Sequence, residues 1–243
     1  MERLNIMGVP FLKIDQEGFV QLLQKRIEQK EKTFVITANP EIVMQANENA
    51  DLKKYIEKAT YVSADGIGVV KAAKLLGSEL PGRVTGYDTT VALFEAKIPY
   101  KVYLLGAQQE TLDKAIENIQ ATYPHIEIVG SHNGFFDWTK DDIAKEAAAA
   151  KPDLMLLALG VPRQEKWIYE NIDLFEHGVF MGVGGTFDVL AGTVKRAPMI
   201  WQKLNLEWLY RIVGQPTRWK RAMALPKFAL KIIGLKIKGQ GLK

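Results

Sequence analysis

No cysteine occurs in the 243 residues. Disulfides, thiolate zinc sites, iron–sulfur ligation and thiol nucleophiles are therefore excluded, and the chain suits a reducing compartment. Histidine is scarce: His125, His132 and His177 are scattered over expected loops and read as surface or turn residues rather than ligands. There is no H-x3-H and no D-x-D, so no resident metal is expected. G-x-x-x-x-G-K-[ST] and G-x-S-x-G are also absent, which argues against a P-loop phosphotransferase and a serine hydrolase. The nearest dinucleotide fingerprint, Gly66-x-Gly68, meets Lys71 where the third glycine should stand, so no NAD and no other cofactor is expected. No uncharged run approaches the roughly 18–20 residues of a membrane span. The opening MERLNIMGVPFLKID carries charge at both ends, and no secretory leader is expected from it.

Acidic residues are missing from one region altogether. From Trp208 to Lys243 there are nine Lys/Arg and no Asp/Glu, which leaves 23 basic against 28 acidic residues before it, a tail of +9 on a body of −5. Such a tail suits an anionic partner, whether nucleic acid, phosphates or an anionic membrane, although a charge run is often only a solvated face. Here apolar residues are interleaved with the charge in KFALKIIGLKIKG, a pattern suited to anionic lipid headgroups. The alternative is a C-terminal helix packing on the body. Nucleic acid is disfavoured by the acidic body and the lack of a recognition motif.

Nearly half of the residues are apolar, enough for a sizeable core. Residues 3–14 read as a hairpin with Gly-Val-Pro as the turn, and 15–30 as a helix capped by Asp15. TFVIT (33–37) reads as a strand, followed by helices from Pro40 and over 51–59, a strand at 60–64 and a helix over 66–76. PGRVTG (81–86) reads as a loop, with Asp88 capping a helix over 89–97. Strands at 101–106, 126–130, 153–160 and 178–185 alternate with helices at 108–122, 139–150 and 162–174. That rhythm predicts an α/β fold with a Rossmann-like, mainly parallel sheet, helices on both faces and a basic helical C-terminal appendage. The expected division is a catalytic body over 1–195 and an appendage over 196–243. Ligands of such sheets sit outside the carboxyl ends of the strands.

The stretch TYVSADGIGVV (60–70) places Asp65 alone in an apolar run at a predicted strand end. A carboxylate there either caps the next helix or does chemistry. Four segments stand with it: TANPE (37–41), ADGIG…GRVTGYD (64–88), LGVPRQEKW (159–167) and GVGGTFDVLAGTVKRAP (182–198), followed by LEWLYRIVGQPTRWKR (206–221). This set resembles the WecG/TagA/CpsF family of glycosyltransferases, glycosyltransferase family 26, over nearly the whole chain. Where the family has P-K-Q-E, this chain has Pro162-Arg163-Gln164-Glu165, keeping the positive charge.

The resemblance implies an inverting, metal-independent transferase. It would move an N-acetylhexosamine from a UDP-sugar to a polyprenyl-diphosphate-linked sugar, from the cytoplasm and peripherally on the inner membrane face. Its TagA branch implies UDP-N-acetylmannosamine and undecaprenyl-diphosphate-GlcNAc in wall teichoic acid linkage-unit synthesis; its WecG branch implies N-acetylmannosaminuronic acid. An inverting transfer needs a base for the attacking hydroxyl and charge stabilisation for the leaving UDP. Asp65 matches the family's base. Thr37 and Asn39 match its polar pair and would bond acceptor or donor sugar, or else form a turn and cap before Pro40. Gln164 matches the family's glutamine and would touch the sugar, while Glu165 reads as the ion-pair partner of Arg163 or a neighbouring lysine. Arg83 would bind phosphate or orient Asp65, or else be a surface arginine, and Asp88, in the same Gly-rich loop, reads at least equally as a plain cap. Gly106, Gly182, Gly184 and Gly185 would let backbone approach a uridine or diphosphate. Asp188 is a second acid of the site or a partner of Arg196. Arg211, Arg218 and Arg221 would clamp the diphosphate, with Gly214 and Pro216 breaking the helix between them.

Two other readings stay open on the residues. One is a non-catalytic nucleotide-sugar-binding membrane adaptor with a Rossmann-like body. The other is an NAD-dependent epimerase, against which the broken fingerprint counts. The apolar tail, off the membrane, could also drive self-association into a homo-oligomer.

Overall fold

The structure, a computed structural model, describes residues 1–138, 142–204, 206–214 and 223–239. A hairpin of β1 (Arg3–Ile6) and β2 (Val9–Leu12) opens the chain. Its turn is Met7-Gly8 rather than Gly-Val-Pro: both residues have positive φ, 53° and 87°, which matches the twist of a two-residue hairpin. Val9 and Pro10 thus belong to β2, opposite Ile6 and Asn5. Then follow α1 (Gln16–Glu28), β3 (Thr33–Ala38), α2 (Pro40–Ala46), α3 (Ala50–Lys58), β4 (Tyr61–Ala64), α4 (Ile67–Leu75) and α5 (Gly86–Glu95). The second half runs β5 (Lys101–Gly106), α6 (Gln109–Thr122), β6 (Glu127–His132), α7 (Ile143–Ala149), β7 (Leu154–Ala158), α8 (Arg163–Asn171), a 3-10 turn (Ile172–Leu174), β8 (Val179–Gly182) and α9 (Thr186–Leu190). Beyond them lie α10 (Met199–Lys203), α11 (Glu207–Gly214) and α12 (Ala224–Ile237).

Six strands form one sheet in the order β4-β3-β8-β7-β5-β6, every neighbouring pair parallel. Their near-continuous apolar sequences follow from burial on both faces. Phe34, Ile36, Met155, Leu157 and Phe180 join one core with α2, α3 and α8. Val35, Leu154, Leu156, Val179 and Met181 join the other with α1, α5, α6 and α9. The Rossmann-like α/β expectation is therefore met. His132 ends β6 rather than lying in a loop, because Leu105 pairs with it across the sheet.

Local chemistry sets the helix starts. Asp15 accepts from the Gly18 amide at 2.8 Å, as a cap should. Asp88 does not cap its helix; Thr85 does, accepting from the Asp88 amide at 3.0 Å. The Thr85 hydroxyl also donates to the Asp88 carboxylate at 2.8 Å, so α5 begins at Gly86, three residues earlier than expected. The Thr85 backbone N–H goes to Gln16 Oε1 at 3.2 Å instead of to Asp88, so the spacing of a capping box is present without its second bond.

The C-terminal helix α12 packs on α2 and α4. Phe228 and Ile232, one helical turn apart, are buried in the core. Leu230, Ile233 and Ile237 face outwards with Lys227, Lys231, Lys236 and Lys238. Packing on the body and an exposed basic apolar face are thus not alternatives: the helix has both. Among the described residues no helix is long and apolar enough to cross a membrane.

Burying Phe228 and Ile232 is worth roughly 2–3 kcal/mol each. Changing both to alanine is expected to free α12 while the sheet stays folded. Hydrogen exchange should report faster exchange over 224–237 with unchanged protection in β3, β7 and β8. Equal protection of α12 in variant and parent would contradict this docking.

Candidate active site

The chain leaves neighbouring strands β3 and β8 in opposite directions, to α2 on one face of the sheet and α9 on the other. Such divergence opens a crevice at the carboxyl ends. Asp65 follows β4 there. Its backbone N–H donates to the Ala38 carbonyl at 2.9 Å, which ties it to the end of β3. It is not a helix cap: α4 starts after Gly66, whose φ of 120° suits glycine alone, and no side chain caps that helix. Instead Asp65 is half-buried and its Oδ2 faces the Gly86 N–H at 3.5 Å. The first N–H of α5, that of Gly86, and the positive end of the helix dipole therefore point at this carboxylate.

The loop before α5 is stitched to β4. The Ser63 hydroxyl donates to the Val84 carbonyl at 3.1 Å, and the Val84 N–H donates to the Ala64 carbonyl at 2.9 Å. Gly86 then rests on Thr37: a Cβ at Gly86 would stand 3.3 Å from Thr37 Oγ1 and 3.6 Å from Val183 Cα. The Thr37 hydroxyl is buried and donates to the Gly182 carbonyl at 2.9 Å. On the other side of Gly182 lies Gln164, and a Cβ at Gly182 would fall 2.5 Å from its Nε2. That amide donates to Glu165 Oε1 at 2.9 Å. One line of contacts thus crosses the crevice floor from Asp65 through Gly86, Thr37 and Gly182 to Gln164 and Glu165.

Several site residues stand elsewhere in this frame. Asn39 caps α2, its Oδ1 accepting from the Ile42 amide at 3.0 Å, which leaves its Nδ2 donors for another partner. Gly106 ends β5 with φ 130°, and a Cβ there would meet the Ala158 backbone at 2.5 Å, so close strand packing alone demands glycine. Gly184 has φ 51° and Gly185 precedes α9, forming the turn out of β8. Asp188 sits in the first turn of α9 and is not the partner of Arg196. Arg196 pairs instead with Asp88 and stacks over the Tyr87 ring at 4.7 Å, fastening the chain after α9 to the start of α5. Arg83 forms an ion pair with Glu207 of α11 at 2.9 Å. Arg211 lies on α11, while Arg218, Arg221 and Pro216 lie outside the described residues.

Glu165 departs most from its expected place. It is 1% exposed and pairs with neither Arg163 nor a lysine among the described residues. Arg163 turns outwards over the Trp138 ring at 5.3 Å. Burial pushes the Glu165 carboxyl up to about 7, against the Gln164 amide and its own backbone N–H, which pull it down. A helical pattern holds the clue: Gln164 and Glu165 lie one turn before Ile168, which is fully buried, so they share its inward face. Gln164 itself is 3% exposed, beneath Gly182.

A family model described as the Glycosyl transferase WecG/TagA/CpsF family matches residues 4–241. The chain belongs to this family. Among curated relatives, the N-acetylglucosaminyldiphosphoundecaprenol N-acetyl-beta-D-mannosaminyltransferase of Bacillus subtilis (strain 168) is 36% identical over 236 residues, covering 96% of this chain and 92% of the relative. The enzyme of that name from Bacillus spizizenii is 35% identical over 238 residues, with 96% and 91% covered. That of Staphylococcus aureus (strain MW2) is 37% identical over 243 residues, with 97% and 94% covered. The crevice described above is thus the candidate active site of a WecG/TagA/CpsF glycosyltransferase.

Replacing Thr37 by valine keeps the shape and removes one hydroxyl. The Gly182 carbonyl would lose its buried donor, a loss of about 1–3 kcal/mol. Denaturant unfolding should show a lower midpoint at unchanged slope; an unchanged midpoint would mean the carbonyl finds another donor.

Proposed function

We propose that this chain moves N-acetylmannosamine from UDP-N-acetylmannosamine to undecaprenyl-diphosphate-GlcNAc, inverting the anomeric carbon to form a β-1,4 bond in a wall teichoic acid linkage unit. The observation that carries the reading is Asp65: a half-buried carboxylate at the sheet's carboxyl edge, beside the α5 N-terminus. The relatives named above bear the same activity in their names.

In this reading the acceptor hydroxyl lies against Asp65. The carboxylate takes its proton as the oxygen attacks the anomeric carbon, and the bond from that carbon to the UDP oxygen breaks from the opposite side. The positive end of the α5 dipole faces this carboxylate. Asn39 offers its amide donors to a sugar, and the turn Gly182–Gly185 offers backbone N–H groups to phosphate. The Arg83–Glu207 pair ties α11, which carries Arg211, to the loop before α5, and Arg211, Arg218 and Arg221 would supply positive charge to the leaving diphosphate. No metal is assigned a step.

The acceptor is lipid-linked, so the protein must work at a membrane surface. The outward face of α12, with Leu230, Ile233 and Ile237 among four lysines, suits anionic headgroups on the inner face of the cell membrane. Met199, Ile200, Leu204 and Trp208 add exposed apolar surface on α10, α11 and the link between them. Off the membrane that surface favours self-association. The appendage is then a second unit over 196–243 that docks on the catalytic body.

Asp65→Asn should bind UDP with unchanged affinity and lose at least a hundredfold in kcat, measured with UDP-N-acetylmannosamine and a short-chain prenyl-diphosphate-GlcNAc; a parent-like rate removes Asp65 as the base. Ending the chain after Ala197 keeps the Arg196–Asp88 pair. That variant should stay folded by circular dichroism yet lose turnover and binding to anionic vesicles. Retained turnover would remove the appendage from the site.

A further inference from the structure

Behind the crevice floor lies a buried amide–carboxyl pair that the transfer chemistry above does not use. Gln164 Nε2 donates to Glu165 Oε1 at 2.9 Å, and the other two acceptors, Gln164 Oε1 and Glu165 Oε2, are buried with no partner. The amide lies flat on Gly182, where any Cβ would collide with its Nε2 and Cδ at 2.5 and 2.9 Å. The Gly182 carbonyl is in turn the acceptor of Thr37. Side-chain freedom at either end of this stack would be transmitted to the backbone that forms the floor.

We infer that Glu165 is a positioning residue: by holding the Gln164 amide against Gly182, its carboxyl sets where the Gly182 carbonyl and the Thr37 side chain stand in the crevice. This rests on the transferase reading above. Glu165 touches no substrate and acts through Gln164. One proton on Glu165 suits the arrangement, since it removes a buried charge and turns an unpaired acceptor into a donor. Losing it places a negative charge beneath the site at which a diphosphate must leave.

Among the described residues no salt bridge reaches that group. Among the described residues α8 packs chiefly on α3, β3, β8 and the 3-10 turn, and α7 borders a cleft with it while Asp142, Lys145 and Glu146 are exposed. Strands β3 and β8 carry no ionisable side chain. On α3, Lys54 and Tyr55 face Tyr169, while Asp51, Lys53, Glu57 and Lys58 are exposed. Asp173 of the turn is open to solvent. On α8 itself, Arg163 and Lys166 point to Trp138, Lys166 lies 3.7 Å from Glu170, and Tyr169 meets Tyr55. Burial therefore governs Glu165, and its folded-state value of about 7 stands above the ordinary 4.5. Stability gained from the protonated group is complete below about 4.5 and is lost as pH rises through about 7.

The test uses Glu165→Gln, which keeps the acceptor for Gln164 but cannot ionise, and Glu165→Leu, which removes it. In the parent, kcat/KM should fall above about pH 7; in Glu165→Gln that fall should vanish, with rates within threefold of the parent at pH 6. Glu165→Leu should lose at least tenfold in kcat at every pH, with UDP affinity within threefold. Thermal melts need no transfer assay: Glu165→Gln should gain on the parent as pH rises from 5 through about 7, then hold a constant lead at higher pH. Superimposed pH–rate profiles for parent and Glu165→Gln, a parent-like kcat in Glu165→Leu, or a melting difference flat across pH would overturn the inference. A parent that transfers no sugar would instead sink the transferase reading, and the melting series would still decide the state of Glu165.

Discussion

A single buried hydroxyl holds the candidate site together. Thr37 stands one residue before the end of β3, Gly182 ends β8, and beyond them the two chains part to opposite faces of the sheet. Parallel pairing cannot continue past that point, so the backbone groups there need other partners. The Thr37 hydroxyl supplies one to the Gly182 carbonyl. Because Gly182 has no side chain, Gln164 can lie on it from behind, and because Gly86 has none, the start of α5 can rest on Thr37 in front. Asp65 receives its environment from this arrangement, since the α5 N-terminus is brought to it only when Gly86 sits down on Thr37.

The same end of the molecule receives the chain from Arg196 onwards. Arg196 fastens to Asp88, Arg83 fastens to Glu207, and α12 lies on α2 and α4, the helices that leave Asn39 and Gly66. Leu225 comes within 3.8 Å of where a Cβ would stand on Gly68. The basic tail is thus not a free arm beside an acidic body. Its inward face belongs to the core and its outward face keeps the lysines and exposed aliphatic groups together.

Much of this was legible in the residues. Apolar runs ending in glycine or a small polar residue predicted the parallel sheet, and Asp65, Thr37 and Gly182 all lie at its carboxyl edge. Where the reading slipped, short-range chemistry competed. Asp88 looked like a cap because aspartate often is one, but Thr85 stands three residues earlier and takes the role, with Asp88 as its hydrogen-bond partner. Glu165 looked like an ion-pair partner because it sits between Arg163 and Lys166; the helix turns those two outwards and Glu165 in.

By itself the sequence determined the element order, the layer architecture and which strand ends would be polar, because these follow from local propensity and from a burial pattern of short period. It also determined the family, through long motifs in fixed order. Only the tertiary structure decided the partners: that Asp65 faces Gly86, that Thr37 reaches Gly182, that Arg196 chooses Asp88, and that Glu165 is buried beside Gln164. Each joins residues whose proximity depends on the crossing order of the strands or the rotation of a helix about its axis, and neither is written in the spacing of the residues themselves.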